Sequence, residues 1–291
     1  MRRLQIGMWN NFSEEFWGKY SSDDIKGIEI SQYPNKSELE QLVVFCQNKK
    51  IKFGIHTPVF GDEKTLPEII SFNKNIYSEV LIKVEEQVKL AAEFGADYLL
   101  LHYPFPPIYE TVVDRRYWTG PPEHAFYYNE DIKEEDFKIA SERLFHDLSV
   151  LQRKYHQKIV LEYDFFGGFE DIFVNMFNKY RDLQLVIDTQ RMEHHKRTFP
   201  NFDPYKWMDK IKDYVYLVHY SNVYFGENVK RHLPVLPNQS DHPEYGDSYK
   251  YLKYLSDRNS FFHVTFEHNP SLISKKELDI CFSSVKELIG E

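Results

Sequence analysis

Seven short apolar runs of this sequence each end in a residue that can bind a metal ion or transfer a proton. The seven residues are Glu29, His56, His102, Glu162, Asp188, His219 and Glu267. Roughly four to six branched or aromatic residues followed by one carboxylate or imidazole are typical of a buried parallel strand, which delivers that side chain at its C-terminal end. The pattern therefore predicts one site assembled from seven strand ends.

The last four of these residues suit a divalent metal ion. Two glutamates, one aspartate and one histidine would provide an oxygen-rich shell with a single nitrogen: Glu162, Asp188, His219 and Glu267. Such a shell suits Mn²⁺, Mg²⁺, Co²⁺ or Zn²⁺, and three carboxylates brought together without a cation would be costly to desolvate. One such residue alone would more often cap a strand or pair with a loop cation, but the four together predict a bound metal.

Strand-like runs alternate with amphipathic stretches along the whole chain. The predicted strands lie near 4–9, 26–31, 51–56, 97–102, 158–162, 183–188, 214–219 and 261–267. The predicted helices are 13–20, 36–49, 66–95, 134–155, 169–180, 204–212, 247–257 and 275–289. Eight such units predict an α/β fold, a (β/α)8 TIM barrel that forms a single domain over 1–291. The alternative is an open doubly wound sheet, but the sequence has no glycine-rich phosphate loop.

Side chains alternate across a strand, and this alternation favours the barrel. If the strand-end residues from the third strand onward point inward, the residues two positions earlier point inward as well. Those residues are small or apolar: Gly54, Leu100, Val160, Val186, Leu217 and Thr265. The intervening residues would face the helices and are all apolar: Ile55, Leu101, Leu161, Ile187, Val218 and Phe266.

Charge, cysteine content and hydropathy indicate which partners and which cellular compartment to expect. The formal net charge of -9 disfavours a nucleic-acid binder, because phosphate neutralisation supplies most of the affinity of such proteins. Cys46 and Cys281 lie far apart in helix-like patterns, which predicts buried thiols in a reducing compartment. No stretch approaches about 20 apolar residues. We therefore expect a cytoplasmic protein with a small-molecule substrate and no membrane contact, and a homo-oligomer is one option for its assembly.

The order of the motifs resembles that of the xylose isomerase-like TIM barrels, which include sugar isomerases and epimerases and endonuclease IV. The resemblance covers nearly the whole chain through GIEI, GIHTPVF, GADYLLLHYPFP, VLEYD, LVIDTQR, LVHYSN, HPEYGD and FEHN. It implies that the shared metal ligands are Glu162, Asp188, His219 and Glu267. It also implies that Glu162 and Glu267 remove and return a proton beside a metal-bound carbonyl.

His56 and His102 resemble two histidines that hold a further metal in endonuclease IV-like members, and some small-molecule members also carry them. Here they are predicted to bind substrate or a second metal. Because imidazole disfavours Mg²⁺, manganese and zinc are the favoured ions. Glu29 is predicted to pair with a loop cation such as Arg191, and binding of a substrate hydroxyl is the alternative.

Three positions depart from the pattern of endonuclease IV or of the sugar epimerases. Arg191 stands where endonuclease IV-like sites have a histidine, and it would bind an anionic substrate group or hold a metal carboxylate. Asp241 and His242 are adjacent where those enzymes have an Asp-x-His, so His242 is a candidate substrate-binding residue. Asn222 replaces the usual aspartate after the strand-seven histidine.

A long aromatic-rich loop, 103–133, follows the fourth strand and is predicted to form a lid or a subunit contact. Arg115 and Arg116 could reach a phosphate there, although solvated surface charge is the simpler interpretation. His194 and His195 are predicted to lie on the surface.

The leading functional hypothesis is a metal-dependent isomerase or epimerase of a sugar-like polyol or ketose, with phosphorylated and acidic substrates included. The alternative is an endonuclease IV-like phosphodiesterase that acts on abasic DNA through two metals. A lyase that eliminates a β-hydroxyl and a barrel that binds a metabolite without turnover are two further options.

Overall fold

The computed structural model describes residues 2–8, 12–61, 68–114, 116–117 and 126–290. Eight parallel strands close into a barrel in the order β1-β2-β3-β4-β7-β8-β9-β12, because β1 pairs with both β2 and β12. Their bounds are Leu4–Met8, Ile25–Tyr33, Lys52–Phe60, Leu99–Tyr103, Ile159–Tyr163, Gln184–Asp188, Val215–Tyr220 and His263–Phe266. The predicted (β/α)8 barrel is confirmed.

Nine helices are found in the described ranges. From α1 to α9 they are Glu14–Tyr20, Lys36–Lys49, Lys74–Phe94, Glu134–Tyr155, Glu170–Lys179, Thr189–Thr198, Pro204–Ile211, Ser248–Ser256 and Lys275–Ile289. Helix α3 begins eight residues later than position 66, because the Asn73 side chain accepts hydrogen bonds from Asn75 N and Ile76 N. Residues 62–67 lie outside the described residues. Helix α6 was not predicted, since TQRMEHHKRT contains one apolar residue and gives no apolar periodicity.

The alternation predicted for the strands is confirmed in the core. A buried cluster fills the barrel interior with Tyr98, Leu100, Val160, Val186, Tyr216 and Leu217. The main core cluster lies between strands and helices and contains all six intervening residues: Ile55, Leu101, Leu161, Ile187, Val218 and Phe266. Polar strand ends are therefore directed to one mouth of the barrel.

Gly54 makes room for the ring of Tyr98 inside the barrel. A Cβ atom at position 54 would lie 2.0 Å from Tyr98 Cζ. We expect Gly54→Ala to lower the free energy of unfolding by about 1–3 kcal/mol, because overpacking forces the ring or the strand to move. Urea denaturation would measure the loss.

Gly18→Ala is the matched control, because an added Cβ there meets nothing within 4 Å and Gly18 lies in helix α1. This variant should be neutral or more stable. Equal stability of the two variants would contradict the packing argument.

The loop after β4 packs on the mouth of the barrel where the structure describes it. Short strands β5 (Ile108–Tyr109) and β6 (Tyr127–Tyr128) pair with each other, and the Tyr109 ring contacts Phe126, Phe165 and Phe199. Arg116 is exposed and pairs with Asp114, whereas Arg115 lies outside the described residues. That this loop is a lid or a subunit contact stays a prediction.

The predicted surface position of His194 and His195 is wrong. Both are buried, with exposed fractions of 6% and 2%. The His195 ring stacks on Phe202 with 3.6 Å between ring centroids, and the His194 ring lies against Phe225. The sequence analysis missed this packing because it did not predict α6. In that helix the two rings face Phe202 and Phe225 and not the solvent.

Two further features complete the fold. Cys46 and Cys281 are free and buried, as predicted. No helix in the described ranges has the length and apolar character needed to cross a bilayer.

Candidate functional site

Three histidine nitrogens converge on one carboxylate oxygen at the mouth. Glu162 Oε2 lies 3.5 Å from His56 Nε2, 3.4 Å from His102 Nε2 and 3.4 Å from His219 Nδ1. His102, Glu162 and His219 are the penultimate residues of β4, β7 and β9, whereas His56 lies in the middle of the longer strand β3. These strands are separated in sequence but converge because the barrel is closed. Glu162 Oε2 is buried and makes no well-aligned hydrogen bond.

The Nδ1 atoms of His56 and His102 point away from Glu162 and contact hydrogen-bond acceptors. His56 Nδ1 lies 2.8 Å from the Thr57 carbonyl, and His102 Nδ1 lies 3.1 Å from Asp164 Oδ2. The Thr57 carbonyl only accepts hydrogen bonds, so His56 Nδ1 donates to it and Nε2 is the nitrogen that faces Glu162. Asp164 is the nearest partner of His102 Nδ1, which also lies 3.5 Å from Arg191 Nη1. Burial lowers the pKa of His102, which favours the neutral ring despite the nearby carboxylates.

These atoms fit a divalent cation. The Nε2 atoms of His56 and His102 lie 3.1 Å apart, so they either share one proton in a hydrogen bond or both face a cation. Bonds of about 2.0–2.2 Å at tetrahedral angles would separate ligand atoms by about 3.3–3.6 Å, close to the distances from Glu162 Oε2. A ligating histidine commonly donates its other ring N–H to a carbonyl or carboxylate, as His56 and His102 do here. The donor set could therefore hold a metal ion.

Arg191 holds the other oxygen of Glu162. Its Nη1 lies 2.9 Å from Glu162 Oε1 and donates to the Tyr163 carbonyl at 2.7 Å. Burial disfavours the charged carboxylate, but the positive charge of Arg191 and the neighbouring imidazoles lower the pKa of Glu162 well below its usual value. The predicted Glu29–Arg191 pair is wrong, because Arg191 starts α6 beside β7 and pairs with Glu162. Its predicted anion-binding role stays a prediction.

His219 lies among three carboxylates. Its Nε2 is 3.0 Å from Glu29 Oε1, and its Nδ1 is 3.2 Å from Glu267 Oε1 and 3.4 Å from Glu162 Oε2. None of these contacts is a well-aligned hydrogen bond. Burial opposes a charge on His219, yet the three carboxylates raise its pKa well above the usual value. Burial raises the pKa of Glu267, which is also close to Asp188.

The comparisons with known proteins identify the fold. No protein-family model matches the sequence, and no curated protein is significantly similar to it. A D-tagatose 3-epimerase-like protein superposes with a TM-score of 0.67 and 11% identity, over 99% of this chain and 97% of that chain. This chain has the xylose isomerase-like TIM-barrel fold.

Two other structures with this xylose isomerase-like fold are similar over the whole barrel. Mannonate dehydratase from Streptococcus suis has a TM-score of 0.65 and 12% identity, over 99% of this chain and 94% of that chain. The IOLI protein with a bound zinc atom has a TM-score of 0.59 and 14% identity, over 99% of this chain and 98% of that chain.

Asp188 has a structural contact that the sequence did not reveal. Its Oδ1 accepts from Gln190 N at 2.7 Å and Arg191 N at 3.1 Å and so caps α6. Two close groups of potential ligands occur among the described residues, and Asp188 belongs to neither: His56, His102 and Glu162; and Glu29, His219 and Glu267. Its role as a shared ligand stays a prediction.

A hairpin missed by sequence reasoning covers one side of the mouth. Strands β10 (Asn222–Phe225) and β11 (Val229–Leu233) form it. His232 has a left-handed φ of 50°, its backbone N–H donates to Gln190 Oε1, and its Nδ1 lies 3.2 Å from the Glu267 carbonyl. We call this hairpin the clasp, because it connects the start of α6 to the end of β12.

His242 is exposed, and its ring packs against Tyr245. Nothing in the described part of the chain connects it to the ligand groups, and its substrate-binding role stays a prediction.

The opening beside those groups lies on the other side of the mouth. It is lined by Gly7, Glu29, Ile30, Ser31, His56 and Glu267 and contains about 210 Å³ of empty space, part of it continuous with solvent.

Proposed function

We propose that this protein is a metal-dependent isomerase or epimerase of a sugar-like polyol or ketose. The observation that carries the proposal is the convergence of three histidine nitrogens on the buried Oε2 of Glu162, which makes no well-aligned hydrogen bond. The opening on the same mouth is lined by three of these candidate residues, Glu29, His56 and Glu267. The fold shared with a D-tagatose 3-epimerase-like protein supports the same reaction class.

The chemistry requires a proton to leave and return at one carbon. A divalent cation, when bound, polarises a carbonyl and stabilises the negative charge that develops on its oxygen. Glu162 and Glu267 lie 3.4 and 3.2 Å from His219 Nδ1. The two carboxylates are therefore close enough to reach the same substrate carbon. One would accept the proton and the other would return it. Arg191 keeps Glu162 charged and oriented through Oε1.

Zinc or manganese is the metal we propose. Two imidazoles beside one carboxylate favour these ions over magnesium. The zinc in the IOLI structure, which shares the fold, agrees with this choice.

The proposal is tested by hydrogen exchange at the substrate carbon. Metal-loaded protein in D₂O should introduce solvent deuterium next to the carbonyl of a ketose or inosose, as measured by mass spectrometry. Asp182→Asn is a control, because Asp182 pairs with Arg153 and accepts from Ser149 of helix α4, outside the barrel. This variant should retain exchange. A filled metal site without exchange across a broad panel of ketoses and inososes would refute the proposal.

A phosphodiesterase of the endonuclease IV type is the second candidate. The observation that favours it is that Glu162 Oε2 lies between the His56–His102 pair and His219, as a carboxylate that bridges two cations would. Elemental analysis decides the point together with an assay on abasic duplex DNA. Two metals per chain and chelator-sensitive nicking would establish this candidate, and one metal without nicking would remove it.

A further inference from the structure

A chain of buried polar side chains runs through the barrel interior to the site. It consists of Gln5, Tyr98, Glu29 and His219, with exposed fractions of 0%, 0%, 3% and 1%. TIM-barrel interiors are dominated by bulky branched side chains, and buried polar groups are costly unless they are hydrogen-bonded. This polar chain therefore needs an explanation beyond packing.

The direction of each hydrogen bond in the chain is fixed. Arg3 Nε donates to Gln5 Oε1 at 2.9 Å, which orients the amide. Gln5 Nε2 then donates to the Tyr98 hydroxyl oxygen at 2.5 Å and to Thr265 Oγ1 at 2.7 Å. Because its oxygen already accepts from Gln5, Tyr98 donates its own hydroxyl hydrogen, and it donates to Glu29 Oε2.

Both oxygens of Glu29 are occupied within the protein. Oε2 accepts from Tyr98, and Oε1 lies 3.0 Å from His219 Nε2. Glu29 thus occupies the Nε2 side of the ring, and Nδ1, which faces Glu162 and Glu267, is the nitrogen that would bind a metal ion. Glu29 is thus placed to orient a ligand rather than to bind substrate.

We propose that Tyr98 is a positioning residue that acts through Glu29 on His219, so that Nδ1 of His219 faces the metal ion. This inference rests on the metal site of the proposed function. The ring of Tyr98 is held in place by the space above Gly54 and by Gln5. Partners of this kind set the orientation and basicity of a metal-ligating histidine and typically change metal affinity by about 10–100-fold.

Tyr98→Phe tests the inference, because it removes one hydroxyl and keeps the ring. Tyr216→Phe is the matched control: Tyr216 is also buried in the barrel, contacts the Tyr98 ring and donates its hydroxyl to a carboxylate, Asp97. Both variants and the unaltered protein would be titrated with Co²⁺, whose visible absorption spectrum reports ligand geometry. We expect about 10–100-fold weaker binding and an altered spectrum for Tyr98→Phe only.

The outcomes are distinct. A merely structural role would lower the thermal midpoint of both variants and leave cobalt affinity and spectrum unchanged, which would overturn the inference. If Tyr98→Phe does not fold, Glu29→Gln takes its place, since it keeps the size of the side chain but removes the charge beside His219 Nε2. If the unaltered protein binds cobalt but does not catalyse deuterium exchange, the proposed function is refuted and the role of Tyr98 in metal binding stands. Absence of cobalt binding would remove both.

Discussion

Replacement of Glu162 by glutamine should lower the affinity for a divalent cation by more than about 100-fold, which exceeds the usual effect of changing a residue behind the ligands. The amide substitutes a neutral group at the point where the three histidine nitrogens converge, and it also removes the negative charge paired with Arg191. Competition with a chromogenic zinc chelator would measure the change.

Asp182→Asn is again the suitable control, since it removes a carboxylate from an ion pair with Arg153 of helix α4, outside the barrel. That variant should bind zinc normally and lose only stability. Normal zinc affinity in Glu162→Gln would show that the convergence of nitrogens on Oε2 has no role in metal binding.

Acid should destabilise the protein through its two buried histidines on α6. Burial lowers the pKa of His194 and of His195 to about 3. The unfolded chain therefore binds protons below its ordinary pKa of about 6.5, whereas the folded chain does so only near pH 3. Stability is complete above about pH 7 and falls as the pH decreases. Each histidine should lower the free energy of unfolding by about 2 kcal/mol between pH 7 and pH 5.

Urea denaturation at pH 7 and pH 5 would measure this loss in three proteins. His195→Phe retains a ring that can stack on Phe202 and should recover about 2 kcal/mol of the acid-induced loss. His146→Gln changes a histidine that is already exposed and should leave the loss unchanged. If His195→Phe and the unaltered protein lose the same free energy, the buried ring does not cause the acid sensitivity.

The barrel could be predicted because its signals are local. Each strand is a short apolar run, and the alternation between interior residues such as Leu100 and outward residues such as Leu101 depends only on the geometry of one strand. The convergence of His56, His102 and Glu162 followed from barrel closure, which brings the strand ends to one mouth.

Pairings across the barrel could not be predicted in this way. Glu29 on β2 meets His219 on β9, and the sequence does not specify which strands face each other across the interior. Asp164 and Tyr98 did carry a signal, since they lie an even number of residues from Glu162 and His102, just outside β7 and β4. An even spacing alone does not reveal a hydrogen-bond partner. The clasp gave no signal, because VKRHL has polar residues on both faces and none of its five residues is fully buried.

The clasp makes the two halves of the mouth unequal. Through His232 it ties the Gln190 turn to the Glu267 carbonyl and to Asn269, whose backbone N–H donates to the His232 carbonyl at 2.7 Å. The opening beside the ligand groups lies along the first three strands. We expect incoming molecules to approach from that side and meet Ser31 and His56 first. Substrate selectivity would then depend on side chains of β1, β2 and β3, whereas the part of the mouth covered by the clasp would stay closed.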